Sequence, residues 1–285
     1  MIAYQGQSGA YSHLACQHVF PDKPVCACDS FVDAMTKVEK GRATLAMIPV
    51  ENSTAGRVEE MYRLIPKMSL HIVGEHFEPV NHCLLAPPGV SLDSLTSVAS
   101  HPQALAQCAS GIEKLGLSTR VAFDTAGAAH QIAKQKQGQD QGYEAAIASS
   151  LAAELYNLNI LIDNFQDSSV NTTRFIILSH AQNLPPLQEG AAYITSLIFK
   201  VRDIPAALYK TLGGFATNNV NLAKLESYMP GGSLNSSQFH IDIHGHIEQP
   251  NLKLALEELN FFAEDVRVLG TYPAHPFRLT QAFRD

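Results

Sequence analysis

The sequence predicts an α/β protein in two parts: a two-lobed region over residues 1–180 and a small βαββαβ domain over residues 191–285. Three observations carry this. Short β-rich runs alternate with helix-compatible runs from Met1 to about His180, the pattern of α/β units with mainly parallel strands. Two long extended stretches interrupt that alternation. After His180 the segment AQNLPPLQEG (181–190), with paired prolines and little apolar content, reads as a linker.

Taken in order, MIAYQG, PVCAC, ATLAMIPV, LTSVAS, TRVAF and EAAIAS read as strands, each followed by Gly, Ser, Asp or Asn and then a helix-compatible run. In open α/β sheets ligands bind beyond the carboxyl ends of the strands, where helix N-termini offer unpaired amides. The long stretches SLHIVGEHFEPVNHCLLAPP and NILIDNFQDSSVNTTRFIILSH lack helical periodicity. Two such stretches predict two crossings between lobes, hence a hinged cleft of the type II periplasmic-binding-protein kind that shields a ligand from water. Beyond the linker, the order is strand (AYITSLIFKV), helix (IPAALYKTLGGFATNN), strand (VNLAKLESY), a GGS turn, strand (SQFHIDIHG), helix (NLKLALEELNFFAE) and strand (VRVLGTY). That is the ferredoxin-like arrangement, and such small sheets commonly pair with a copy of themselves.

Composition narrows the function. With 285 residues, 46% hydrophobic and 16% charged, the chain suits an ordinary globular protein of about two domains. A formal charge of -7 disfavours nucleic acid, whose binding needs clustered Lys and Arg. No apolar run approaches the roughly 20 residues of a membrane span, and Met1 leads directly into a strand, so the expected location is the cytoplasm. Five cysteines without paired metal spacing fit reduced thiols. Cys26 and Cys28 share a strand face, which favours packing over redox chemistry. His240, His244 and His246 alternate along QFHIDIHGHI, but Asp242 shares their face while Phe239, Ile241 and Ile243 point away. The expectation is a half-solvated antiparallel strand and no metal.

The chemistry lies in short polar clusters. GQSGAYSHLA follows the first strand, with Gly6 and Gly9 spaced to let backbone approach an anion. A dinucleotide fingerprint, with Asp29 as the ribose ligand, lacks its first glycine because Tyr4 stands there. No phosphate-binding G-x-x-x-x-G-K-[ST] occurs in the sequence. PVENSTAG (49–56), SHPQALAQC (100–108) and NTTRF (171–175) each sit at a strand end. Taken singly they are helix caps, Ser53 or Thr54 for a helix after Gly56 and Ser100 for one opening at Pro102.

Together, GAYS, PVENS, SHPQA, AAIAS and NTTRF resemble, in order and spacing, the motifs of prephenate dehydratases, over nearly all of the first 180 residues. The second domain resembles the ACT domain that bacterial members carry. Here Glu226, Ser227, Tyr228, Met229 and Pro230 replace the usual Glu-Ser-Arg-Pro, and Ala206 stands where a Gly-Ala-Leu-Val motif has glycine. The resemblance implies decarboxylative dehydration of prephenate to phenylpyruvate without metal or organic cofactor, by a homodimer or homotetramer. It also implies an L-phenylalanine effector at Leu208, Asn221, Leu222, Glu226 and Ser227, residues that on the plainer reading merely build the dimer interface.

Thr173 is the residue assigned to donate a hydrogen bond to the leaving hydroxyl. Arg174 either anchors a substrate carboxylate or is a buried structural arginine. Asn52, Ser53, His101, Gln103, Ser149 and Asn171 are the remaining candidate substrate contacts, and Glu51 is an orienting acceptor, since a second anion would repel the dianionic substrate. These neutral donors argue against a carboxylate acid/base pair. The alternatives are arogenate dehydratase and a non-catalytic two-lobed small-molecule sensor.

Overall fold

The computed structural model describes residues 1–134, 142–229 and 238–281. The GGS turn and Pro230 lie outside the described residues. The chain forms two compact units, Met1–Lys37 with Ala46–Arg57 and Phe77–Phe175, and Val38–Leu45 with Val58–His76 and Ile176–Asp285.

In chain order the elements up to the linker are β1 (Ile2–Gln5), α1 (Tyr11–Val19), β2 (Val25–Cys28), α2 (Phe31–Glu39), β3 (Leu45–Asn52), β4 (Gly56–Arg57), α3 (Glu59–Leu64), β5 (His71–Pro79) and β6 (Cys83–Ala86). Then come β7 (Leu95–Ser100), α4 (Pro102–Gln107), α5 (Ala109–Lys114), β8 (Ser118–Val121), α6 (Thr125–Ala133), β9 (Tyr143–Ala148), α7 (Ser150–Tyr156), β10 (Asn159–Ile162) and β11 (Thr172–Ser179). The six strands expected here are β1, β2, β3, β7, β8 and β9. One sheet runs β2-β1-β3-β11-β5 and another β10-β6-β9-β7-β8. The first extended stretch therefore becomes β5 and β6, and the second β10 and β11, each passing from one sheet to the other. This is the double crossover of a two-lobed fold. Parallel pairing holds for β1 with β2 and for β7 with β8 and β9, whereas the crossover strands β6 and β10 pair antiparallel.

The central strands of the second sheet, β6, β7 and β9, are largely buried, with a packed core on each face. One face packs Leu84, Val98, Leu105 and Ile147, and the other is lined by Ala128, Ala129, Ala146, Ala148 and Ala152. The small side chains on the second face let α6 and α7 approach closely. Gly9 illustrates how tight the packing is: its φ is +88°, and a Cβ there would meet the Ala152 Cα at 2.9 Å. No larger residue fits without displacing α7.

The glycine-rich loop before α1 departs from the anion-site expectation. The Gly6 amide donates to Cys28 O, that of Gly9 to His13 Nδ1 and that of Ala10 to Gln7 O, so these three amides are already engaged. Cys26 and Cys28 do share a face, where the Lys37 ammonium lies 3.6 and 3.3 Å from their sulfurs.

The remaining elements are β12 (Tyr193–Val201), α8 (Ala207–Thr217), β13 (Leu222–Tyr228), β14 (Gln238–His244), α9 (Pro250–Phe262), β15 (Ala263–Pro273) and α10 (Pro276–Gln281). Their sheet order β13-β14-β12-β15, antiparallel throughout, is the ferredoxin-like one. Leu197, Phe199 and Ile241 pack with Phe215 of α8 and with Leu252 and Leu259 of α9.

The opposite face corrects the expectation of a half-solvated strand. Asp242, His240 and His246 are 0%, 3% and 0% exposed, and only His244 among them reaches solvent. The alternation was legible, but what covers the polar face was not: residues 58–76 of the same unit pack there. The Tyr62 ring lies 6.0 Å from that of His240, and a Cβ on Gly270 would collide with Ile72 O. Asp242 is satisfied by the Ser196 hydroxyl, which also bonds Tyr272.

Ala206 adopts φ 57°, ψ 31° at the start of α8, a left-handed conformation that strains any residue with a Cβ. The glycine usual at this motif position has no such strain. Ala206→Gly is expected to stabilise the protein by up to about 1 kcal/mol, read as a higher urea midpoint at unchanged slope. A lower midpoint would contradict this account of the turn.

Candidate active site

The polar motifs meet where the two crossovers run side by side within the first unit. Val80 N–H donates to Asn171 O (2.8 Å) and Phe165 N–H to His82 O (2.7 Å), tying the chain after β5 to the chain before β11. Against this junction lie the end of β3, with Glu51 to Thr54, and the end of α4, with Gln107.

Asn52 is the pivot. Its Oδ1 accepts the backbone N–H groups of Thr54 (3.0 Å) and Ala55 (2.9 Å), an Asx turn that leaves no freedom in which end of the amide is oxygen. Its Nδ2 therefore donates, to Asn171 Oδ1 at 2.7 Å and to Thr173 Oγ1 at 2.9 Å. Because Thr173 Oγ1 accepts from an amide, the hydroxyl's own proton must point elsewhere. A threonine on half-buried strand backbone is thereby prepared as a donor.

Amides and hydroxyls continue the cluster. Asn171 Nδ2 donates to Gln107 Oε1 (3.1 Å), Gln107 Nε2 to Thr54 Oγ1 (2.7 Å), and Thr54 Oγ1 to Asn52 Oδ1 (2.8 Å). Tyr11 hydroxyl contacts His82 Nδ1 (2.8 Å), whose Nε2 meets Gln107 Oε1 (2.9 Å). Burial lowers the His82 pKa from 6.5, partly offset by the Gln107 bond, so the imidazole is neutral at neutral pH. Burial likewise pushes the Tyr11 hydroxyl well above 10 and keeps it protonated. Arg174 is 2% exposed and reaches Glu51 Oε1 at 3.0 Å, while Glu51 keeps 34% of its side-chain surface. Hydroxyls and carboxamides dominate this donor set, and the one imidazole has both nitrogens engaged, which suits an organic anion better than a transition metal.

The structure thus gathers Asn52, Asn171 and Thr173 around one point, whereas Arg174 and Glu51, their strand neighbours, pair on the opposite face. Ser53 joins through backbone exchange, its N–H donating to Thr172 O and its Oγ accepting from Thr172 N–H. Neither Ser53 nor Thr54 caps a helix, because α3 starts at Glu59 behind Val58. His101, not Ser100, caps α4, its Nδ1 accepting from Gln103 N–H, while the Ser100 hydroxyl donates to Ile147 O. Gln103 is exposed one turn before Gln107 and has no part in the bonded cluster. Ser149 is fully buried: it caps α7 and its hydroxyl donates to Gly9 O at 2.6 Å. Gln107, His82 and Tyr11 were not singled out by sequence reasoning, and Thr54 only as a helix cap. Gln107 follows Gln103 at helical spacing and Tyr11 lies inside GAYS, signals that could have found them.

In the second unit, Leu208 and Leu222 pack against the helix-side core, whereas Glu226 pairs across from His240 and so faces the other side. Asn221 and Ser227 are exposed, and β13 is an edge strand. Within one protomer these five residues do not converge.

Comparison with known proteins agrees with this geometry. The family model described as prephenate dehydratase matches residues 2–183. A Komagataeibacter europaeus protein named as a bifunctional N-acyl-homoserine lactone acylase/prephenate dehydratase is 48% identical over 98% of this chain and 97% of its own length. An Arabidopsis thaliana arogenate dehydratase/prephenate dehydratase is 38% identical over 95% of this chain and 72% of its own. A solved prephenate dehydratase from Arthrobacter aurescens, in complex with L-Phe, superposes with a TM-score of 0.85 at 29% identity, covering 99% of this chain and 97% of that one. Motifs, double crossover and these matches together place the chain in the prephenate dehydratase family.

Proposed function

We propose that this chain converts prephenate to phenylpyruvate in phenylalanine biosynthesis, with the catalytic centre at the Asn52–Thr173 cluster. The observation that carries the reading is the Thr173 hydroxyl, held as a donor by an asparagine whose orientation two backbone amides dictate. The reaction breaks the bond from ring carbon to carboxylate and the ring C–O bond together. The carboxylate's bonding pair becomes ring π density, the hydroxyl leaves with its pair, and one proton completes water. Aromatisation supplies the driving force, so the site needs to hold the dianion, exclude water and stabilise charge growing on the departing oxygen. Thr173 supplies that last interaction. Its neutral hydroxyl is a poor full proton donor, so a water or a neighbouring group completes protonation.

Ser53, Asn171 and Gln107 are the substrate contacts this reading favours, while Arg174 is held by Glu51. The Komagataeibacter relative carries an acylase name as well, but dehydration is what it shares with the plant relative and the family model. The ferredoxin-like domain is read as the effector domain, with phenylalanine at Leu208, Asn221, Leu222, Glu226 and Ser227 between two copies of the chain, by likeness to the L-Phe complex. A homodimer or homotetramer follows from that placement. Five free cysteines fit a reducing compartment such as the cytoplasm. Among the described residues no helix is long and apolar enough to cross a membrane.

Incubating purified protein with prephenate in EDTA should yield phenylpyruvate, and adding phenylalanine should change the rate. Turnover of arogenate in place of prephenate would reassign the substrate, and turnover of neither would overturn the reading.

A further inference from the structure

We propose that His82, as its Nε2–H tautomer, and Tyr11 are positioning residues for the dehydration, locking Gln107 and Asn171 in the orientation that keeps Asn52 directed at Thr173. The inference rests on the reading of Thr173 given above. It follows from counting donors along the chain of bonds, starting at the backbone. Asn52 Oδ1 accepts from the amides of Thr54 and Ala55, so the atom of Asn171 facing Asn52 Nδ2 must be its oxygen. Asn171 Nδ2 is then the end that faces Gln107, and Gln107 must answer with Oε1. Gln107 Nε2 consequently meets Thr54 Oγ1, whose proton is committed to Asn52 Oδ1.

Gln107 Oε1 is also the atom 2.9 Å from His82 Nε2. An acceptor facing a bare nitrogen would repel, so Nε2 carries the proton. Nδ1 of the neutral ring is then bare and faces the Tyr11 hydroxyl across 2.8 Å, whose one proton is shared between it and Asn81 O, also at 2.8 Å. His82 is 2% exposed, so no bulk water competes for either nitrogen. The opposite tautomer would let Tyr11 give its proton wholly to Asn81 O, but it would turn Gln107 over and either set two amide donors against each other at Asn171 or, with Asn171 turned as well, release its bond to Asn52. Backbone amides thus anchor one end of the network and the imidazole anchors the other.

Two measurements test this, one independent of turnover. Nitrogen-15 NMR of the full chain at neutral pH, with the His82 signal identified by its loss in His82→Gln, should show a protonated Nε2 and an unprotonated Nδ1. A protonated Nδ1 with bare Nε2 overturns the proposal. In kinetics, His82→Gln can present an amide N–H near the Nε2 position, whereas the shorter side chain of His82→Asn reaches only the Nδ1 position. His82→Asn should lose about ten- to a hundred-fold in kcat with little change in KM, the scale for losing a group that orients a reacting residue, and His82→Gln should recover most of that loss. Equal loss in both variants, or none in either, overturns the proposal. Absence of turnover in the unaltered protein would instead sink the proposed function, leaving the tautomer result to stand or fall by itself.

Discussion

Thr173→Ala is expected to lower kcat by about 100- to 1000-fold, the scale observed when one donor to a developing oxyanion is removed. Prephenate binding should change far less, because the lost bond strengthens only as the C–O bond breaks. Asn52 Nδ2 loses one of its two acceptors in this variant but keeps Asn171, so the cluster should survive. Thr173→Ser restores a hydroxyl that Asn52 can orient in the same sense, and should retain most of the activity. Near-normal turnover in Thr173→Ala would remove the threonine from the mechanism.

The second large effect is expected at Arg174, and first of all in stability. Its side chain is 2% exposed and pairs with Glu51 at 3.0 Å. Arg174→Leu leaves that carboxylate without its buried partner, an event costing about 3–5 kcal/mol when both groups are fully enclosed. Glu51 keeps 34% of its side-chain surface in water, so the expected loss is smaller, about 2–3 kcal/mol. A thermal midpoint lowered by several degrees is the readout, and an unchanged midpoint would show that the pair contributes nothing to folding. Arg174→Lys keeps the charge but loses the fork that can grip two oxygens, and should raise KM wherever the guanidinium also reaches substrate. If KM stays at its original value, the arginine acts only through Glu51.

Much of the fold was legible because its signals are local. β1, β2, β3, β7, β8 and β9 each announce themselves by a short β-rich run followed by a cap residue, and the two long extended stretches predicted the crossovers now seen between β5 and β6 and between β10 and β11. What was not legible depends on long-range partners. The alternation in QFHIDIHGHI identified the second face of β14, but nothing in that strand announces that Tyr62 and its neighbours cover it. At the site, Asn52, Asn171 and Thr173 stood out as motif residues, whereas Gln107 and His82 gain meaning only once the crossovers bring residues 82, 107 and 171 together. Ser149 shows the converse. A motif serine at a strand end suggests a ligand contact, yet its hydroxyl caps α7 and bonds Gly9 O, holding the loop before α1 in place.

The most direct test is a crystal structure of the protein with a prephenate analogue that retains the ring hydroxyl. The proposed mechanism predicts that hydroxyl within about 3 Å of Thr173 Oγ1, with the Asn52 amide still donating to the same threonine oxygen. An analogue bound in the cleft with its ring hydroxyl directed away from residue 173 and toward another donor would contradict it.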